Sequence, residues 1–116
     1  MAAAKKKAKT AGSDPKKSQQ DQKNDVVTDV KLDKYFALTE KAIRVVKSSE
    51  MDAARIADAK DFLGMAESYL SDAKHFRGKG DLVLAFAAVN YAHAWLDAGA
   101  RLKLFKVNDS HLFAAD

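Results

Sequence analysis

The sequence predicts an all-α protein: an up-and-down three-helix bundle preceded by a disordered N-terminal basic arm. From Asp29 onward, apolar residues recur at spacings of three and four, the period of a helix face. Two breaks, Ser48 to Asp52 and Gly78 to Asp81, divide that pattern into three segments. Ahead of it, residues 1–25 hold no aromatic residue and no Val, Ile or Leu, too little apolar surface to offset the entropy of ordering. The expected organisation is a lysine-rich arm over 1–25 and a three-helix bundle with a short C-terminal segment over 26–116.

In the first segment Leu32, Tyr35, Phe36, Thr39, Ile43 and Val46 share one face, with charged residues off it, which predicts a helix of about five turns. Ser48-Ser49-Glu50-Met51-Asp52 reads as a break and a new N-cap, with Ser49 as the capping side chain and Asp52 as the acidic half of a capping box. The second helix is expected from about Glu50 to Arg77, burying a stripe that includes Ala59, Phe62, Ala66, Tyr69, Leu70 and Ala73. Gly64 inside it points to close packing or a mild bend. Gly78-Lys79-Gly80-Asp81 supplies a glycine stop and an Asp N-cap within four residues, so the third helix is the antiparallel neighbour of the second.

The third helix, expected over about 82–105, is apolar on two sides. Leu82, Ala85, Phe86, Val89, His93 and Leu96 fall on one face, while Leu84, Tyr91, Trp95 and Leu102 cluster on another. Phe62, Tyr69, Phe86 and Leu96 are expected to be buried between helices two and three. The second stripe needs a cover, either the C-terminal segment carrying Leu112 and Phe113 or another chain, including a second copy. Leu84, Tyr91, Trp95 and Leu102 are therefore candidate interface residues.

Charge divides along the chain. Residues 1–25 carry seven lysines against three aspartates, a net +4, whereas 26–116 carry 13 basic and 13 acidic side chains. The basic balance belongs to the arm, and Lys5, Lys6, Lys7, Lys9, Lys16 and Lys17 are candidate contacts to nucleic acid or a ribonucleoprotein. A solubilising role is the plainer alternative. The longest uncharged run, Leu82 to Leu96, has 15 residues, short of a membrane span. With no cysteine, the chain has no disulfide framework, zinc knuckle or thiol nucleophile. A cytoplasmic protein with no membrane association and no cofactor is expected.

The stretch from Phe62 to Phe76, then Lys79-Gly80-Asp81, then Ala85 to Leu102, resembles the small archaeal family known as domain of unknown function 357. The likeness covers about residues 32–113, and the run Asn90 to Leu102 is its most specific part. It implies an archaeal, cytoplasmic three-helix bundle and carries no activity with it.

Chemistry must be judged from the residues. Asp72 with His75, and His93 with Asp97, suggest a four-ligand metal set, but register along the helical hairpin separates the pairs by roughly 13 Å at 1.5 Å per residue. No metal site is expected. Asn90, His93, Asp97 and Arg101 form the better polar cluster, read as a structural network in which Asp97 pairs with Arg101 and His93 donates to Asp97 or a facing Tyr. Its functional alternative is a small-molecule site near His93. The serines fit no nucleophile elbow, and Gly78-Lys79-Gly80 lacks phosphate-loop spacing. The third helix superficially looks like that of HEPN-type ribonucleases, but no arginine here is followed by the His their motif requires. No catalytic residue is assigned. The expectation is a non-catalytic binding or adaptor module that contacts nucleic acid or ribonucleoprotein through its arm, or else a protein-interaction or self-assembling bundle.

Overall fold

The computed structural model describes residues 24–114, so the arm expected over 1–25 lies outside the described residues apart from Asn24 and Asp25. Three helices follow: α1 (Asp29–Ser48), α2 (Ile56–Gly78) and α3 (Leu82–Arg101), with a single 3-10 turn, Ala53–Arg55, ahead of α2. They pack as a three-helix bundle, α2 lying most extensively against α3.

Each boundary has a local cause. Thr28 caps α1, its hydroxyl accepting from the Lys31 amide at 3.2 Å. Helix α1 ends where Ser49 turns extended and its hydroxyl donates to the Val46 carbonyl at 2.8 Å. Ser49 therefore closes one helix instead of opening the next, correcting the expected capping box. The N-cap is Asp52, whose carboxylate accepts from the Ala54 amide and from Arg55 Nε. The Arg55 guanidinium and then the Ala54 amide hold the Asp52 carboxyl below its ordinary pKa. Because the 3-10 turn intervenes, α2 starts at Ile56 and not at Glu50.

Gly80, at φ +80°, ends α2 in a Schellman turn: its amide donates to the Arg77 carbonyl, and that of Asp81 to Phe76. Asp81 then caps α3 through the Leu84 amide. Helix α3 stops earlier than expected, at Arg101, in the same kind of turn. There Leu104 donates to Gly99 at 2.9 Å and Lys103 to Ala100 at 3.0 Å, with Lys103 itself at φ +64° where a glycine is usual. Freed from the helix, Leu104 and Phe105 turn inward and are buried. The chain pairs there with the α1–α2 connection, Asp52 donating to Leu104 and Lys106 to Glu50, both at 2.9 Å.

The core is built on small residues where α2 meets α3. Ala59, Ala66 and Ala73 of α2 and Ala85, Ala88, Ala92 and Ala100 of α3 are buried there, in one core with Leu32, Phe36, Ile43 and Val46 of α1 and Val89 and Leu96 of α3. Gly64 is exposed, with no atom within 4 Å of where a Cβ would stand, so it marks no close packing. Of the four residues expected between α2 and α3, Leu96 is fully buried, while Phe62, Tyr69 and Phe86 are only half-buried. The Phe86 ring meets Tyr35 of α1 edge to face at 5.0 Å. Tyr35, placed on the core face by its spacing, is exposed beside it. Arg77 ties the end of α2 to the start of α1 through Asp33 at 2.6 Å and Asp29 at 3.1 Å, its guanidinium lying over Phe36.

Candidate functional sites on the third helix

Helix α3 presents two surfaces of interest, a polar latch centred on His93 and an exposed apolar stripe. At the latch, His93 Nδ1 stands 3.0 Å from the Thr39 hydroxyl of α1, and Nε2 stands 2.6 Å from the Leu112 carbonyl. A carbonyl oxygen can only accept, so Nε2 carries the hydrogen, and in the neutral ring Nδ1 accepts from Thr39. One turn along, Asp97 accepts from the Ala114 amide at 3.0 Å. Two side chains of α3 thus grip the backbone of 112–114, and that grip seats Leu112 and Phe113 in the core.

The expected network is rearranged accordingly. Asp97 does not pair with Arg101, which is exposed and makes no ion pair among the described residues. His93 faces Thr39 and not a Tyr, and its 3.6 Å separation from Asp97 is too long for a hydrogen bond. Asn90 turns back to the Phe86 carbonyl of its own helix. Thr39, 2% exposed, is the residue that sequence reasoning missed; its place on a face otherwise apolar was the available signal.

A hydroxyl, an imidazole and a carboxylate in this order invite comparison with a hydrolytic relay. The geometry argues for a latch. The hydroxyl is buried, the imidazole nitrogen nearer the carboxylate is bonded to a carbonyl, and an attacking oxygen at Thr39 would have no approach to substrate. Among the described residues no group of three or more His, Cys, Asp or Glu could hold a metal ion. A cleft of about 390 Å³ beside the end of α3 is lined by Ala100, Lys103, Phe105, Lys106, Val107 and Asn108, and brings together no nucleophile with a base.

The second surface carries the candidate interface residues. Trp95 packs against Phe62 at 5.1 Å and Tyr91 against Tyr69 at 4.4 Å, both edge to face, so α2 covers the near edge of the stripe. The far edge is open: Leu84 is 46%, Tyr91 51% and Leu102 50% exposed, with Ala87, Ala94 and Ala98 exposed among them. Trp95 is half-buried, and its indole nitrogen is buried without a hydrogen-bond partner. The C-terminal segment was one expected cover for this stripe. It lies instead over the His93 side of α3, leaving the stripe bare.

The candidate nucleic-acid contacts Lys5, Lys6, Lys7, Lys9, Lys16 and Lys17 lie outside the described residues. Among the described residues, no helix is long and apolar enough to cross a membrane. Residues 34–105 match a family model described as "Protein of unknown function (DUF357)". Neither a curated protein nor a solved structure matches the chain.

Proposed function

The chain belongs to the DUF357 family, and we propose that it is a non-catalytic binding module whose working surface is the exposed stripe of α3. One observation carries this reading: a helix that is apolar nearly all round is covered by α1, α2 and the C-terminal segment except over the sector bearing Val83, Leu84, Tyr91 and Leu102. Contiguous apolar surface on a small soluble domain is characteristic of an interaction site. Small residues between the large ones favour a helix as the partner, because they let backbones approach closely. A small-molecule site at His93 is weighed against by the engagement of both ring nitrogens.

The test is photo-crosslinking in cells of the native host. A benzophenone amino acid placed at Leu84 or Tyr91 should give a discrete adduct, and one at the exposed Lys60 of α2 should not. Absence of any adduct at 84 and 91 would remove the stripe as a working surface.

The division of charge favours a second role for the arm, a hold on a polyanion such as nucleic acid or a ribonucleoprotein. With seven lysines and three aspartates in residues 1–25, about four to six phosphate contacts imply a log–log salt slope of about −4 to −5 on duplex DNA. Deleting residues 1–25 should abolish that retention and leave the helical signal intact. A truncated chain that binds equally well would move recognition to the bundle. A cytoplasmic setting belongs to the same reading, since the absence of cysteine suits a reducing compartment.

A further inference from the structure

We infer that the occupant of the α3 stripe is a second copy of this chain, seated antiparallel about a two-fold axis that passes near Tyr91. The inference rests on the binding-module reading of the same surface and names its partner. Segments of the chain itself are poor occupants. Residues 1–25 offer no aromatic residue and no Val, Ile or Leu with which to cover an apolar face, and Leu112 and Phe113 are already buried elsewhere.

The stripe is complementary to its own reverse. A two-fold interface requires that if residue i meets j, then j meets i. About Tyr91, Leu84 and Ala98 each lie seven residues away, two helical turns, on opposite sides, and Ala87 and Trp95 each lie four away. An antiparallel copy therefore sets Leu84 on the partner copy's Ala98 and Ala87 on the partner copy's Trp95, large against small at each step, with the two Tyr91 rings at the centre. Alternation of that kind is what lets facing helices interdigitate.

Charge chooses the direction. Glu67 and Lys74 of α2 pair with α1, and at 100° per residue Asp58, Asp61 and Asp72 fall on the opposite flank, the one beside the stripe. Since Tyr69 stacks on Tyr91, the same axis crosses α2 near Ser68. Asp61 and His75 each lie seven residues from Ser68, and Asp58 and Lys79 lie ten and eleven away, again on opposite sides. The antiparallel pairing brings Asp58 to the partner copy's Lys79 and sets Asp61 beside the partner copy's His75. All four are exposed, and none is in an ion pair among the described residues. A parallel pairing would stack Asp58 on Asp58 and Asp61 on Asp61, a repulsive arrangement that selects against it.

Sedimentation of the purified full-length chain over a concentration series tests this. The expected result is a monomer–dimer equilibrium. Leu84→Glu should raise its dissociation constant at least a hundredfold with the helical signal unchanged. Asp58→Lys should raise it about fivefold, and the swap Asp58→Lys with Lys79→Asp should return it to within about twofold of the parent. A chain that stays monomeric to millimolar concentration overturns the inference, as does a dimer indifferent to Leu84→Glu. A swap that fails to restore the dimer overturns the antiparallel register. In the crosslinking test above, an adduct of twice the chain mass agrees with the second copy. A discrete adduct of another mass with a monomeric chain leaves the binding surface standing and rejects the second copy; no adduct with a monomeric chain rejects both.

Discussion

Replacing Gly99 by alanine should destabilise the bundle, although the same change in an ordinary helix is favourable. Gly99 lies in the last turn of α3 and is buried. A Cβ there would stand 2.8 Å from Phe105 Cζ and 2.9 Å from Cδ2, with Cε2 nearer still. The ring cannot retreat easily. Phe105 is fully buried, and the backbone on either side of it is pinned by the bonds from Asp52 to Leu104 and from Lys106 to Glu50. Overpacking a closed site costs about 3 kcal/mol at the upper end of its usual range, and alanine returns about 1 kcal/mol in helix propensity. The net loss of about 2 kcal/mol lowers the thermal midpoint by about 8–16 °C for a domain of this size. A double-mutant cycle identifies the cause: Phe105→Leu removes ring atoms, so Gly99→Ala should cost about 1 kcal/mol less in that background. A midpoint for Gly99→Ala equal to or above the parent's would show that the end of α3 is not held by Phe105 as described.

Gly64→Ala should behave in the opposite way, raising the midpoint by about 4–8 °C, because an exposed helical glycine with open space around it gives up about 1 kcal/mol to alanine; a lower midpoint would refute the open surroundings. Lys103→Gly relieves a left-handed lysine in the turn that ends α3 and should stabilise by about 0.5–1 kcal/mol in denaturant titration, whereas a loss would mean that the lysine side chain is needed there. Thr39→Val removes the hydroxyl that His93 Nδ1 accepts from and should cost about 1–2 kcal/mol. In the parent, nitrogen NMR of neutral His93 should report the Nε2–H tautomer, and an Nδ1–H tautomer would contradict the bond to the Leu112 carbonyl.

The helices were legible because burial imposes a period that needs no partner to be recognised. The α1 stripe and the glycine stop before α3 are local signals, and Gly80 at φ +80° in the turn is the physical content of one of them. What escaped detection depended on contacts distant in sequence. Lys103 ends α3 without a glycine or proline to announce it, because the burial of Leu104 and Phe105 compensates for a left-handed backbone. Ser49 and Asp52 both look like caps from sequence, and only the extended turn at Ser49 separates their roles. Of the polar cluster, His93 and Asp97 do act together, yet on backbone groups of residues 112 and 114 that no side-chain pattern encodes. Thr39 and His93 are 54 residues apart, so their pairing was out of reach of a spacing rule.

The two surfaces of α3 differ in what the bundle asks of them. On its His93 side, polar groups were needed because a strap of backbone had to be held against an apolar core, and Thr39, His93 and Asp97 supply the bonds. On the stripe, no such need exists. Leu84, Tyr91 and Leu102 are each about half exposed, so a lysine or glutamate at those places would leave the core intact and raise solubility. A single exposed leucine calls for no explanation. Three large apolar side chains aligned on one helix, separated by alanines and flanked by charges of both signs that form no ion pair among the described residues, have the make-up of an interface with an apolar centre and a polar rim. The bundle holds α3 by its other sides, and the free one is the surface on which the proposed binding role rests.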